Sequence, residues 1–333
     1  MAEMSRKDLR KRRKRRKKVA KNFLYILFIT AISLMLFLYL NEAYLHIDGV
    51  PTFSQLMQSA GLRKRPIVHV EQDEIAVHFL DVGQGDCALI KTPEKNLLID
   101  CGEESESGYV IQYLRDFGVT RLDYVIATHP HSDHIGGMHR ILSSFDVGEV
   151  IIPEVDDEQI PTTAFYEKML DVIEKKNIGA FYAIQGQEFE LCKGTVLKIL
   201  GPLGHGYEDL NDYSVVAKVE SGNYSFLFTG DMEKISEHEL LDVWIDVRAD
   251  VLKVAHHGSS SSSTTAFLKR VGPQYAVISV GEDNSYGHPA DDVLERLKLV
   301  DADVLTTTEY GDIVFITDGN ELRYTTTSEK EAA

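Results

Sequence analysis

Short apolar runs alternate with amphipathic segments over most of the chain. Ten runs of four to six residues, rich in Val, Ile, Leu and Phe, predict strands at 75–80, 87–91, 97–100, 124–128, 196–200, 215–219, 225–229, 251–254, 276–280 and 313–317. Between them, apolar residues recur at helical spacing and predict helices at 109–117, 136–144, 163–175, 233–241, 264–270 and 291–299. Strands and helices that alternate in this way indicate an α/β fold.

The N-terminus has a different pattern. Residues 6–21 are almost entirely Lys and Arg, and residues 23–40 form an apolar run broken only by Thr30 and Ser33. At the rise of an α-helix, a run of this length spans about 27 Å, which is close to the hydrocarbon thickness of a bilayer. The sequence therefore predicts one transmembrane helix.

Charge predicts the orientation of this helix. Twelve basic residues but only Glu3 and Asp8 stand among the first 21 residues, and such clusters stay on the cytoplasmic side. A cleaved signal peptide is the alternative, but the apolar run is long and residues 40–45 offer no small-x-small cleavage site.

The predicted domains follow from these patterns. They are a basic cytoplasmic tail at 1–22, a transmembrane helix at 23–40, a linker at 41–73 and a folded extracytoplasmic domain at 74–333. Within the linker, residues 53–59 are a candidate for a short amphipathic helix. The expected location is thus the cell membrane, with one span and with the folded domain outside the cytoplasm.

The folded part is strongly acidic. The chain has a net charge of −17, and the first 21 residues contribute +10, so 23 basic and 50 acidic residues remain, a net −27. Long DNA is usually captured by basic surfaces, and a negative domain repels its phosphates. The composition therefore favours a small or short substrate. Three cysteines, an odd number, imply no disulfide framework.

The candidate chemistry begins behind the predicted strand 124–128. The segment 128–134 reads Thr-His-Pro-His-Ser-Asp-His, with three histidines and one carboxylate in six residues. Imidazole nitrogens and carboxylate oxygens hold zinc and similar divalent ions. A loop that follows a strand can aim all four groups at one point. The alternative, a solvated polar loop, is disfavoured by this spacing.

This segment resembles the signature of the metallo-β-lactamase superfamily. The resemblance implies that His129 and His131 hold one metal ion, and that Asp133 and His134 hold a second. It further implies a bridging carboxylate and another histidine on later loops. The residues that match these expectations are Asp231, in the segment Phe-Leu-Phe-Thr-Gly-Asp, and His257, in the segment Ala-His-His-Gly.

Seven motifs together resemble one branch, the extracellular metallo-β-lactamase-like domain of ComEC-type DNA-internalisation proteins. They lie at 79–86, 97–102, 129–137, 211–216, 229–231, 252–259 and 286–289. The implied fold is a four-layer αββα sandwich. Those competence proteins carry many membrane spans that form a channel, so this chain, with one predicted span, is not expected to be a channel by itself.

Two divalent ions, Zn²⁺ or Mn²⁺, are the expected cofactors, and a water that bridges them would form hydroxide near neutral pH. The superfamily commonly adds a third histidine to the first ion, but the corresponding segment here reads Leu-Asn-Asp-Tyr-Ser. Either Asp212 or Asn211 fills this place, or the first ion is weakly held. An oxygen-rich site would admit manganese.

Three residues are candidates for catalytic roles: Asp133, His256 and His288. His288 could protonate a leaving group or hold a phosphate oxygen, although a histidine that only fixes its loop is the alternative. Asp100 is expected to orient a liganding histidine. The favoured function is a phosphodiesterase or nuclease. A hydrolase of another ester, thioester or lactam bond, for example one like phosphorylcholine esterase, is the alternative, and no protein partner is predicted.

Overall fold

The computed structural model describes residues 6–41, 65–66, 68–282 and 284–328. It divides the chain into two compact units, Met1–Arg63 and Lys64–Ala333. Most of the predicted linker, including its candidate helix at 53–59, lies outside the described residues.

In the first unit, helix α1 (Arg6–Leu40) continues from the basic segment into the apolar one without a break. Its portion Lys21–Leu40 is long and apolar enough to cross a membrane, by length and composition. The Thr30 hydroxyl, a polar group in this stretch, donates to the carbonyl oxygens of Ile26 and Leu27 at 3.1 and 2.9 Å. Internal hydrogen bonding of this kind lowers the cost of placing a hydroxyl in lipid.

The second unit contains two mixed sheets. The eight-stranded sheet has the order β15-β14-β1-β2-β3-β4-β5-β6. Its strands are β1 (Ile75–Phe79), β2 (Ala88–Lys91), β3 (Asn96–Ile99), β4 (Arg121–Ile126), β5 (Asp146–Ile152), β6 (Gly179–Tyr182), β14 (Ile313–Thr317) and β15 (Leu322–Thr326). Strands β3 to β6 pair in parallel, and the other pairs are antiparallel.

The seven-stranded sheet has the order β13-β12-β11-β10-β9-β8-β7. Its strands are β7 (Glu188–Cys192), β8 (Thr195–Gly201), β9 (Val216–Ser221), β10 (Tyr224–Phe228), β11 (Val251–Lys253), β12 (Tyr275–Ile278) and β13 (Asp303–Thr306). Strands β10 to β13 pair in parallel, so their carboxyl ends meet at one edge.

Helices cover the outer face of each sheet. The helices are α2 (Ser107–Asp116), α3 (Ser132–Ile135), α4 (Met138–Ser144), α5 (Ala164–Lys176), α6 (Lys234–Asp242), α7 (Thr265–Val271), α8 (Asp291–Leu299) and α9 (Thr307–Tyr310). Buried side chains of α2, α4 and α5 pack with the first sheet in one cluster, and those of α6, α7 and α8 pack with the second sheet in another. A third cluster joins the sheets, with Phe79, Phe226, Phe228 and Phe315 among its members.

The architecture is therefore the predicted four-layer α/β sandwich, with two sheets inside and helices outside. All six predicted helices and all ten predicted strands are present, within a few residues of the expected bounds. The prediction omitted the five strands β5, β6, β7, β13 and β15 and the single-turn helices α3 and α9. The three cysteines, Cys87, Cys101 and Cys192, are buried and free.

This topology brings the candidate segments together. The segment 128–134 follows β4, Asp231 follows β10, and His256 and His257 follow β11. Each of these strands belongs to a parallel part of its sheet, where loops gather at the carboxyl ends. The site therefore lies across one edge of the sandwich.

Candidate metal centre

Four of the predicted ligands form one cluster. One ligand atom each from Asp133, His134, Asp231 and His257 lies within 4.8 Å of the others. His257 Nε2 is 3.2 Å from Asp133 Oδ2 and 3.5 Å from Asp231 Oδ2. His134 Nε2 is 3.2 Å from Asp231 Oδ1. This is the set that the sequence assigns to the second ion.

Hydrogen bonds fix which nitrogen each histidine presents. His134 Nδ1 is 2.8 Å from Asp100 Oδ2 and donates to it. His257 Nδ1 donates to the carbonyl oxygen of Ser279 at 2.9 Å. In both rings Nε2 therefore faces the cluster, which is the nitrogen that a metal ion would take. The expected contact of Asp100 with a candidate ligand histidine is present.

His129 belongs to the same network. The Thr128 hydroxyl donates to Asp100 Oδ2 at 2.6 Å, so its oxygen must accept from His129 Nδ1 at 3.2 Å. His129 Nε2 then lies 3.0 Å from His131 Nδ1 and 3.9 Å from Asp231 Oδ2. His129 thus links His131 to Asp231, and these are the three residues that the sequence predicts for the first ion.

The histidine pair after β11 has an unusual backbone. His256 and His257 both adopt left-handed conformations, with φ of 50° and 52°, which non-glycine residues seldom do. This places both rings at the site. His256 Nδ1 lies 3.2 Å from Glu233 Oε1, and its Nε2 lies 3.8 Å from Asp231 Oδ2.

The Gly-Gln-Gly-Asp motif at 83–86 contacts residues of the cluster. The backbone N–H of Asp86 donates to the Asp133 carbonyl oxygen at 3.1 Å. A Cβ atom on Gly85 would lie 2.3 Å from that same oxygen, so the close approach requires glycine. The Asp86 carboxylate is buried, 2.6 Å from Lys253 Nζ and 3.4 Å from His257 Nδ1.

Charges in the cluster are mutually compensating. Burial opposes the charged forms, but the imidazoles of His134 and His257 hold the pKa of Asp231 well below its usual range. The Asp231 carboxylate in turn raises the pKa of His134 and of His257 well above the usual value, against the effect of burial. Burial, with His134 nearby, lowers the pKa of His129.

The donor set fits divalent metal ions. His134 Nε2 and Asp231 Oδ1 are buried 3.2 Å from each other, and neither has a hydrogen-bond partner among the described residues, as is expected of atoms that face a shared ion. Imidazole and carboxylate donors together suit zinc or manganese. The residues present could therefore hold the metals that the sequence predicts, with Asp231 between the two positions.

A cavity of about 560 Å³ opens over these groups. Its lining includes Gln84, His131, Asp133, Thr163, Phe165, Leu210, Asn211, Asp231, His256, His257, Tyr286 and His288. His288 lies in it with Nδ1 buried and unpartnered, and Asn284 hydrogen bonds to the His288 backbone N–H and carbonyl oxygen at 2.9 and 2.7 Å. Tyr286, 70% exposed, stacks on the His288 ring at 5.8 Å.

The structure gives Asp212 a different role from the one expected. Its Oδ1 accepts hydrogen bonds from the backbone N–H groups of Glu233 and Ser236, at 3.0 and 3.1 Å, and from the Ser236 hydroxyl at 2.6 Å. This atom caps the N-terminus of α6 and is committed there. Asp212 is therefore a helix cap through Oδ1, and its role as an extra ligand stays a prediction. Its neighbour Asn211 lines the cavity instead.

Sequence reasoning missed two supporting contacts. Glu233, which holds His256, lies two residues after Asp231 and reads as the start of a helix. Lys253, which pairs with Asp86, reads as a strand residue. A lysine inside a buried apolar strand was the available signal, because such a charge requires a partner.

Comparison with known proteins agrees with this geometry. The family model described as "Metallo-beta-lactamase superfamily" matches residues 80–282. The chain belongs to the metallo-β-lactamase superfamily. The resemblance drawn from the 128–134 segment is confirmed, and this superfamily typically binds divalent metals.

Two curated relatives match most of this chain. The chain is 32% identical over 262 residues to ComE operon protein 3 of Bacillus subtilis, covering 72% of this chain and 32% of the relative. It is 29% identical over 270 residues to competence protein ComA of Neisseria gonorrhoeae, covering 80% of this chain and 36% of the relative. The chain thus spans about a third of the length of these relatives.

Among solved structures, the metallo-beta-lactamase fold protein YhfI from Bacillus subtilis aligns with a TM-score of 0.47 at 14% identity. The alignment covers 75% of this chain and 99% of that chain.

Proposed function

We propose that this superfamily member is a membrane-anchored, extracytoplasmic, metal-dependent phosphodiesterase or nuclease. The observation that carries the proposal is the cluster of Asp133, His134, Asp231 and His257, of which Asp133, Asp231 and His257 line a large cavity. A cavity of about 560 Å³ has the size of a small-molecule or nucleotide site. The relative named competence protein ComA, together with the resemblance to ComEC-type DNA-internalisation proteins, supports a nucleic-acid substrate.

The chemistry follows from the donor set. Two divalent ions held by these residues would lower the pKa of a bound water and neutralise charge on a phosphoryl group. Asp231 would contribute a carboxylate oxygen to each ion. The imidazoles are held in place by their hydrogen bonds with Asp100, Thr128 and Ser279. They therefore need not reorient during the reaction.

Two cavity histidines are placed to contact a substrate. The Glu233 carboxylate holds His256 Nδ1, so His256 Nε2 faces the cavity and could contact the leaving oxygen. Burial and the nearby imidazoles of His256 and His257 lower the pKa of His288. A neutral His288 is therefore better suited to hold a phosphoryl oxygen than to donate a proton at neutral pH.

Membrane anchoring is part of this proposal. The portion Lys21–Leu40 of α1 has the length and composition of a span, and the preceding basic run favours a cytoplasmic N-terminus. Anchoring would hold the domain 74–333, with its acidic surface, near the outer face of the membrane.

One observation favours a second candidate function. The chain outside the first 21 residues has a net charge of −27, which disfavours capture of long polyanions. A hydrolase of a small ester, thioester or lactam would not meet this repulsion. The same ligands could serve such a reaction, because function resides in the site rather than in the fold.

A substrate panel separates the two candidates. The full chain, purified in detergent, is loaded with Mn²⁺ or Zn²⁺ and assayed on bis-nitrophenyl phosphate, single- and double-stranded DNA, a lactam and a thioester. We expect turnover of the phosphodiesters, and its loss in Asp231→Asn, which removes charge but keeps side-chain size. Hydrolysis of the lactam or thioester with inert phosphodiesters would eliminate our first choice.

A further inference from the structure

The two metal positions have unequal sets of protein ligands. The second position has four groups within 4.8 Å, from Asp133, His134, Asp231 and His257. The first position has only His129 and His131 together with the shared Asp231. Divalent zinc and manganese prefer at least four ligands, so another protein group or additional water is needed there.

Asn211 is anchored beside this position. It lies in the turn Leu210–Tyr213, and its backbone N–H donates to Asp209 Oδ1 at 2.9 Å. Just after it, Ser214 Oγ accepts from the backbone N–H of Asp231 at 3.0 Å. The Val215 N–H donates to the carbonyl oxygen of Thr128, next to His129, at 2.9 Å. The turn is thus bonded to the loops that supply both His129 and Asp231.

The Asn211 side-chain oxygen has no hydrogen-bond partner within the described part of the protein. The residue is 5% exposed, its Oδ1 is buried without a hydrogen-bond partner, and it lines the same cavity as His131 and Asp231. A buried amide oxygen left unpaired is destabilising and usually indicates a missing partner. The neighbouring Asp212 is less suited to this place, because its Oδ1 already accepts three hydrogen bonds at the start of α6.

We propose that the Asn211 amide oxygen is a ligand of the first metal position, with His129, His131 and Asp231. A neutral oxygen then stands where a third imidazole would favour zinc, and carbonyl oxygens suit harder ions such as Mn²⁺. The first position is therefore the weaker one and prefers Mn²⁺ more than the second does. This inference rests on the metal centre of the proposed function but not on its substrate.

The test is a metal titration of the full chain in detergent, stripped of metal, with Mn²⁺ as the probe. Free Mn²⁺ is followed by electron paramagnetic resonance, and heats are followed by calorimetry. We expect two ions per wild-type chain, bound in two steps of unequal affinity. Asn211→Ala should weaken the weaker step at least tenfold and leave the tighter step unchanged.

Three further variants sharpen the result. Asn211→Asp keeps the shape and adds charge, so it should tighten the weaker Mn²⁺ step. Asn211→His should shift the preference of this step from Mn²⁺ towards Zn²⁺. The control, Asn223→Ala, changes an exposed asparagine in the turn between β9 and β10 and should leave both steps unaltered. Thermal unfolding of the metal-free proteins reports whether each variant folds.

Several results would overturn the proposal. They are a wild-type chain that binds only one ion, an Asn211→Ala protein with both steps intact, and an Asn211→Asp protein that binds as the wild type does. The titration is independent of turnover. If the wild-type chain hydrolyses no phosphodiester but Asn211→Ala loses the weaker Mn²⁺ step, only the proposed function is rejected. If the wild-type chain hydrolyses phosphodiesters but Asn211→Ala titrates as the wild type does, only the ligand role of Asn211 is rejected.

Discussion

Strain at single residues helps to build the metal centre. Left-handed backbone at both His256 and His257 costs on the order of 1 kcal/mol or more at each residue. Contacts of their rings with Glu233 and Ser279 oppose this cost. In this conformation two consecutive side chains can face one cavity.

Removal of a ligand tests the centre at the residue scale. Asp231 contacts both positions, so Asp231→Asn should lose both ions and reduce kcat/KM by a factor of at least about 1,000. His131→Ala should lose mainly the first ion. Metal content is measured by elemental analysis beside the phosphodiester assay. Glu295→Gln, on an exposed face of α8, is the control, and full activity in either test variant would contradict the site assignment.

A buried histidine away from the centre predicts a pH dependence of stability. Burial, with a smaller effect of Lys91, lowers the pKa of His78 to about 3, and Nδ1 contacts the Tyr113 hydroxyl at 3.0 Å. Between pH 6.5 and about 3 the unfolded chain binds a proton here that the folded chain does not. Stability should therefore fall as the pH falls through this window, by about 2 kcal/mol at pH 5.

The measurement is urea unfolding of the metal-free full chain at pH 7, 6 and 5. His78→Gln should flatten the slope, whereas His69→Gln, at an exposed histidine, should keep it. Equal slopes for wild type and His78→Gln would show that His78 does not titrate as inferred.

At the scale of elements, the start of helix α6 depends on a residue from outside it. Asp212 satisfies two backbone N–H groups and the Ser236 hydroxyl there. We expect Asp212→Ala to lower the free energy of unfolding by about 1–3 kcal/mol, and Asp212→Asn by less, because one carbonyl acceptor remains. Chemical denaturation gives the stability, and metal content should be unchanged. Loss of an ion from a stable Asp212→Ala protein would restore Asp212 as a ligand.

Strand position in the sheet explains what the sequence could predict of the fold. The interior strands have buried apolar residues on both faces, as in β1, where all five residues are buried. Four of the five missed strands, β6, β7, β13 and β15, are the edges of the two sheets. Edge strands are half-exposed and polar, for example Leu-Arg-Tyr-Thr-Thr in β15, so they lack the pattern that marks an interior strand. In β5, Gly148 and Glu149 interrupt the apolar run.

The candidate site, like the fold, could be predicted from the sequence only in part. Residues 129–134 are local in sequence, and their spacing alone indicated a metal site. The choice between Asn211 and Asp212 depends on which side chain caps α6, a contact between segments about 20 residues apart. The Asp86–Lys253 pair spans 167 positions. Hydrogen bonds of this range leave no periodic trace in the sequence, so they require the tertiary structure.

For the whole molecule, the charge distribution predicts how DNA binds. The net charge outside the N-terminal tail is −27. DNA binding by the domain should therefore gain little free energy from counterion release, and its salt dependence should be shallow. Fluorescence anisotropy with the metal-loaded wild-type chain and hydrolysis-resistant phosphorothioate DNA of increasing length should show affinity that stops rising beyond a few nucleotides. A steep dependence on salt, or on length, would indicate a local basic surface that dominates the net charge.

The same charges predict how the chain lies in the membrane. Twelve basic residues precede the apolar stretch, and positive charge near a span is retained in the cytoplasm. Alkaline phosphatase fused to the C-terminus folds only where its disulfides form, outside the cytoplasm, so the fusion expressed in a bacterium should be active. Replacing most of the basic residues of the tail by Gln should lower that activity, because the helix then inserts in both directions.

A green fluorescent protein fusion should remain dark in the wild-type chain if it is exported unfolded. Bright fluorescence with inactive phosphatase would place the metal centre in the cytoplasm. That outcome would leave the chemistry of the site unchanged but restrict its substrates to cytoplasmic phosphodiesters.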